Sequence, residues 1–263
     1  MSTRSPAVAG FFYPADPHAL ASMVDQLLDD ARPNELARPP KALISPHAGY
    51  IYSGAIAALG YASLQVDAHP ITRVVVAGPA HRVGIRGIAL PGVDAMATPL
   101  GTIPLDTELC ELIDAMPGVI TRPDVHAEEH CVEVQLPFLQ RLLSDFTVVP
   151  LVVGDVAPDT VANVLEACWG DTDTLIVISS DLSHYHSYDE AKRLDEQTIA
   201  EILARRPMIS THRACGAYPL NGLLEVARRR ALQPTLLGAC NSGDTAGDRG
   251  RVVGYASVAW HEE

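Results

Sequence analysis

Four residues of the kind that bind metals or move protons each follow an apolar run of strand length. His47 stands in Ser45-Pro46-His47-Ala48-Gly49-Tyr50, and His81 closes Gly78-Pro79-Ala80-His81. His184 follows Ser179-Ser180-Asp181-Leu182-Ser183, and Asp244 closes Asn241-Ser242-Gly243-Asp244. A single histidine in such a context is more often a hydrogen-bonded core residue than a ligand. Building the same loop edge twice, at His47 and His81, reverses those odds. Two imidazoles and one carboxylate on one face of a metal form the facial triad of non-haem Fe(II) oxygenases, which leaves positions open for dioxygen and substrate. Imidazole also suits zinc and copper, so ligand type alone leaves the metal open. The carboxylate has four candidates, Asp244, Asp248, Asp181 and Glu133.

Other residues fit supporting roles. Histidine is the usual general acid/base of proteins, and His184 is the residue expected in that role. Asp181 either orients it or bonds to its own loop, the second being the commoner use of an Asp-Leu-Ser turn. His130 precedes a helix and is expected beside the ligands or against substrate, as is Tyr50. Glu133, at the start of that helix, reads as a capping carboxylate favoured by the helix dipole. Cys215 in Ala214-Cys215-Gly216 also precedes a helix, where a thiol pKa can fall. A small buried hydrophobe is an equally good reading of it.

The elements that must carry these residues alternate. Strands are predicted at 42–45, 73–77, 146–153, 175–179, 235–239 and 252–260. Helix-period stretches lie between them at 53–64, 107–116, 133–143, 159–168, 188–204 and 220–230. This alternation predicts an α/β fold, a mostly parallel central sheet flanked by helices on both faces. Gly84 to Thr102 is dotted with Gly and Pro and reads as a hairpin or irregular excursion. No repeat or shift in composition divides the chain, so residues 1–263 are expected to form one domain. In an open α/β sheet, ligands bind outside the carboxyl ends of the strands, where His47, His81, His184 and Asp244 all fall.

Composition narrows the function. Hydrophobic residues make up 48% of the 263 and aromatics only 5%, so a large aliphatic core is expected. The formal charge of −13 argues against nucleic acid as a partner. Arg228 to Arg230, the one compact basic run, reads as the last turn of a helix. The five cysteines form no C-x-x-C pair, so neither a disulfide framework nor a zinc ribbon is indicated. No window approaches 18 apolar residues and no signal peptide stands out, so a cytoplasmic protein without a membrane span is expected.

The motifs together resemble the Memo family, known in bacteria and archaea as AmmeMemoRadiSam system protein B. They are Arg4 to Pro14, Pro46-His47-Ala48-Gly49-Tyr50 with Ser53-Gly54, Gly78-Pro79-Ala80-His81, Glu129-His130 with Glu133, Ser179-Ser180-Asp181 with His184, Cys215-Gly216, and Ser242-Gly243-Asp244 with Gly254-Tyr255-Ala256. That family resembles the class III extradiol dioxygenases, so the resemblance implies their fold and one divalent metal, Fe(II) before Cu or Zn. It puts the metal on His47, His81 and Asp244, with His184 as the acid/base group. In animal relatives the third position is a cysteine, where the resemblance puts Asp244 here. It implies a dioxygenase-like oxidoreductase acting on a small substrate, aromatic compounds included. The alternatives are a non-catalytic scaffold for radical-SAM and AMMECR-type proteins, and a zinc-dependent hydrolase.

Overall fold

Uninterrupted runs of Val, Ile, Leu and Ala become strands covered on both faces, because only a sheet between two helical layers buries every side chain of such a run. The computed structural model describes all residues except 1, 33–35, 37, 65, 67–69 and 263. Its elements in chain order are β1 (Thr3–Arg4), α1 (Pro17–Asp30), β2 (Ala42–Ser45), α2 (Tyr50–Ala62), β3 (Arg73–Pro79), β4 (Ile88–Leu90), β5 (Ala95–Thr98) and β6 (Gly101–Pro104). There follow α3 (Thr107–Asp114), β7 (Val119–Thr121), α4 (Pro123–Ala127), a 3-10 turn (Glu133–Gln135), α5 (Leu136–Leu142), β8 (Thr147–Val153), α6 (Pro158–Ala167) and β9 (Thr174–Ser179). The last are β10 (His184–His186), α7 (Tyr188–Leu203), α8 (Ala217–Arg229), β11 (Gln233–Asn241), a second 3-10 turn (Ser242–Asp244) and β12 (Val252–His261).

The main sheet runs β10-β12-β2-β9-β3-β8-β4-β7, with β11 also paired to β12. Its centre, β2-β9-β3-β8, is parallel, with Ala42 opposite Ile176 and Val75 opposite both Ile176 and Val149. The margins are antiparallel where β12 meets β2, β11 meets β12 and β4 meets β8. The fold is therefore α/β with a large helix-flanked sheet, parallel in the part that carries the site. The Gly84 to Thr102 excursion resolves into β4 and the β5–β6 hairpin, which joins β1 in a small second sheet.

Alternate residues of the central strands sort into two apolar layers. Ile44, Val75, Ala77, Ile176 and Ile178 pack with Val161, Leu165, Leu220 and Leu224 of α6 and α8. Leu43, Val74, Val76, Leu175 and Val177 pack with Leu20, Val24, Tyr61 and Phe138 of α1, α2 and α5. This two-residue alternation is the strand period read out as two cores. The basic run falls where expected: Arg228 and Arg229 close α8, and Arg229 pairs with Glu225, Glu166 and Asp159. Helix α1 is not among the stretches singled out from sequence, although Asp16 caps it by accepting from the Ala19 N–H and Pro17 opens it.

Candidate metal centre

Three parallel strands end side by side, and the residues just beyond them meet. His47 lies two residues past β2, His81 two past β3, and Asp181 two past β9. The His47 and His81 rings are 5.1 Å apart and nearly perpendicular. His130 lies 4.6 Å from His81, stacked on it, and 5.3 Å from His47. One ligand atom from each of His47, His81 and His130 lies within 4.8 Å of the others. All three, with Asp181 and His184, line a cavity of about 620 Å³ whose wall includes Phe11, Phe12, Tyr52 and Tyr185.

Hydrogen bonds settle which ring nitrogens face inward. The single proton of the Ser179 hydroxyl goes to the Cys131 carbonyl at 2.6 Å, and its oxygen accepts from Gln135 Nε2 at 2.9 Å. Its remaining contact, 2.8 Å to His47 Nδ1, must therefore be accepted from an Nδ1–H. That leaves His47 Nε2 without a proton, an acceptor and potential ligand. Gln135 is itself held, with Tyr61 donating to its Oε1 and its amide donating to the Pro46 carbonyl. His81 Nδ1 donates to Glu129 Oε1 at 2.9 Å, again freeing Nε2. His184 Nδ1 donates to the Leu182 carbonyl at 2.9 Å, so its Nε2 is left as a base.

Glu129 was seen in the sequence only as the neighbour of His130, yet it organises the loop. Besides His81 Nδ1 it accepts from the backbone N–H groups of His81, Arg82, His130 and Cys131. Burial pushes its carboxyl pKa up, but bonding to His81 and the nearby imidazoles wins and holds it below the usual range. His130 Nδ1 lies 3.2 Å from Glu129 Oε1 yet is out of line for a hydrogen bond, a buried nitrogen with no partner. Burial, reinforced by the neighbouring imidazoles, holds His47 and His130 well below the ordinary histidine pKa. With Nδ1 of His47 and of His81 engaged elsewhere, each ring can present Nε2, and with the orphaned His130 nitrogen beside them this arrangement fits a metal ion.

Several expectations change. Asp244 stays out of the cluster: its Oδ1 accepts from the Tyr188 hydroxyl at 2.5 Å and its Oδ2 from the Asn241 N–H, in a capping box of its own turn, with Asp244 itself exposed. His130 joins the two strand-end histidines instead. Glu133 does not merely cap a helix. It is buried under the N-terminal segment, bonded to Arg4, the Tyr13 hydroxyl and the Ala7 and Val8 N–H groups. Tyr50 belongs to the core, donating to the Val134 carbonyl and packed on Phe138. Cys215 has its thiol pKa raised by burial, not lowered, but its Sγ lies 3.2 Å from His47 Nε2. With Nε2 unprotonated, the thiol is the donor.

Cys215 reaches that spot because Gly216 lets two loops touch: a Cβ there would sit 2.5 Å from Ser180 Cβ. The loops are laced by Gly216 N–H to Ser180 Oγ, Asp181 N–H to Cys215 Sγ and Cys215 N–H to the Asp181 carbonyl. Asp181 Oδ1 accepts from the His47 N–H at 2.8 Å, which anchors the His47 loop instead of orienting His184. Burial raises its carboxyl pKa. Among the described residues no helix is long and apolar enough to cross a membrane.

A solved Escherichia coli K12 protein, the uncharacterized JW3007, superposes with a TM-score of 0.52 at 17% identity, covering 84% of this chain and 99% of that one, a likeness of fold alone. A MEMO1 family protein of Aquifex aeolicus is 38% identical over 98% of this chain and 99% of its own length. Another, from Sulfolobus acidocaldarius, is 35% identical over 97% and 98%. Residues 4–259, which hold every residue of the centre, match the Memo family, described as Memo-like protein, and the chain belongs to that family.

Proposed function

We propose that this chain is a mononuclear non-haem metal enzyme, with iron as the metal and oxygenation of a small substrate as the reaction. The observation that carries the proposal is the convergence of His47, His81 and His130, with ligand atoms within 4.8 Å of one another, at the floor of an open cavity. When bound, Fe(II) would supply a redox-active Lewis acid with positions left for dioxygen and substrate. His47 and His81 would hold it through Nε2, their other nitrogens pinned by Ser179 and Glu129. His184 Nε2 takes a proton from a substrate hydroxyl and returns it later, its ring fixed by the Leu182 carbonyl. Phe11, Phe12 and Tyr52 limit water at the cavity wall and offer faces to a flat substrate.

A zinc hydrolase is the second reading, favoured by one observation: His47, His81 and His130 come together as three imidazoles, with Glu129 bonded to His81 Nδ1, and a three-histidine site suits a metal-activated water. One experiment separates the two. The protein is purified without added metal, its metals are measured, and it is then reconstituted anaerobically with Fe(II) and supplied with catechols under oxygen. Oxygen consumption that disappears in His184→Gln supports the oxygenase. Stoichiometric zinc with no oxygen uptake after iron loading overturns it.

A further inference from the structure

We infer that the cavity is built for a small organic carboxylate, with Arg82 and Arg251 receiving the anionic end; this rests on the substrate-binding reading above. The chain is acidic, with a net charge of −13, and among the described residues eight arginines are in ion pairs: Arg4, Arg73, Arg122, Arg141, Arg213, Arg228, Arg229 and Arg230. Arg82 and Arg251 both line the cavity, and neither forms an ion pair among the described residues. Arg82 directly follows His81, has its backbone N–H on Glu129 and lines the cavity next to the cluster.

Arg251 is held in place. Its guanidinium lies 4.9 Å from the centre of the Tyr185 ring, and Tyr185 adopts φ of +63°, a left-handed conformation costly for a bulky residue. The strain arises where β10 pairs irregularly with β12, His184 opposite Val253 and His186 opposite Val252, which throws Tyr185 outward beside the base His184. A cation resting on an aromatic face keeps its edge N–H groups free to fork onto an oxyanion. Two acids share the wall, Asp181 and Asp248. Asp181 is engaged by the His47 N–H and Asp248 by the Gly250 N–H at 2.5 Å, and no ion pair joins either to the two arginines. Phosphate sites lean on free N–H groups at a helix start. Here the Tyr50 N–H that opens α2 is already taken by the Phe12 carbonyl, so it adds no free helix-start donor to the two arginines, whose guanidinium groups can each fork onto a carboxylate.

The test is calorimetric titration of the protein, metal-loaded and metal-free, with 3,4-dihydroxybenzoate, catechol and phenyl phosphate at low salt. The dihydroxybenzoate is expected to bind at least about ten-fold tighter than catechol, with phenyl phosphate weaker than the dihydroxybenzoate. In Arg251→Gln and Arg82→Gln that advantage should shrink several-fold, with catechol binding and metal content unchanged and Arg251→Lys intermediate. Equal affinities in the parent protein, an advantage that survives both glutamine variants, or tighter phenyl phosphate binding each overturn the inference. A carboxylate preference that persists without metal, in a protein that consumes no oxygen, supports this inference while sinking the oxygenase reading.

Discussion

Glu129 is asked to do more than any other side chain of the centre, and its removal should be felt by the metal before the fold. One carboxylate fixes the His81 tautomer and four backbone N–H groups, including that of His130. Glu129→Gln keeps the shape but puts an amide where a proton acceptor is needed. Metal affinity is expected to fall roughly 10–100-fold, the usual cost of losing a group that orients a ligand. Asp244→Ala, by contrast, should leave affinity within about two-fold; a ten-fold loss there in competition titrations would restore Asp244 as a ligand. Sequence made His47, His81 and His184 legible because each follows an apolar run. His130 and Glu129 follow no strand of the central sheet, and only the fold brings them to the other two. A second prediction concerns His126, buried with its Nε2 donating to the Ala89 carbonyl and its pKa lowered by burial to about 4. The unfolded chain takes up this proton near 6.5 and the folded one near 4, so the stability is full above pH 6.5 and lost as pH falls between the two. The loss is on the order of 3 kcal/mol, at 1.36 kcal/mol per pKa unit. Urea midpoints of the metal-free protein should fall across that window, and His126→Gln should flatten the fall; parallel curves for both proteins would refute it.

Strand ends place the site only because neighbouring segments pack against them closely, and Gly78 in β3 is where this is tightest. A Cβ at Gly78 would lie 2.5 Å from Cys131 Sγ and 2.8 Å from Cys131 Cβ. Cys131 in turn offers its carbonyl to Ser179, the residue that orients His47, and its thiol to the Pro79 carbonyl. Gly78→Ala should therefore push the 129–135 segment off the sheet. The expected cost is about 1–3 kcal/mol in urea unfolding, as for overpacking elsewhere, together with weaker metal binding. A stable variant that binds metal like the parent would show that the segment can shift freely. The same packing explains what could and could not be read beforehand. The central strands and α2, α3, α6, α7 and α8 announce themselves by period and by apolar runs. Strand β10 does not, because His184-Tyr185-His186 has no apolar pattern and exists as a strand only through β12. The 3-10 turn at Glu133–Gln135 hides behind a helix-like period that truly begins at Leu136. Glu133 looks like a cap locally, and its partners Arg4 and Tyr13 are more than a hundred residues away.

Across the whole molecule, the candidate ligands come from three separate segments, after β2, after β3 and ahead of α5, each resting on the apolar layers of a single sheet. A metal ion bound to all three exists only when those segments are together, so it binds the folded chain and not the unfolded one. Linkage then requires it to raise stability by RT ln(1 + [M]/Kd), about 2.7 kcal/mol at a free concentration 100 times Kd. For a chain of this length each kcal/mol moves Tm by roughly 2–4 °C, so saturation with Fe(II) under nitrogen should raise Tm by about 5–10 °C. Chelation should reverse it. The size of the shift should follow the logarithm of metal concentration above Kd, which nonspecific binding to an acidic surface would not do at moderate salt. His47→Ala, His81→Ala and His130→Ala should each remove most of the shift, because two remaining imidazoles hold a metal weakly, while Asp244→Ala should keep it. Equal shifts in His130→Ala and the parent would mean that the third donor lies elsewhere, and Cys215, with its Sγ 3.2 Å from His47 Nε2, is then the residue to replace next. A thiolate donor would betray itself by a steeper loss of the shift at low pH, since the burial-raised thiol must lose its proton to bind.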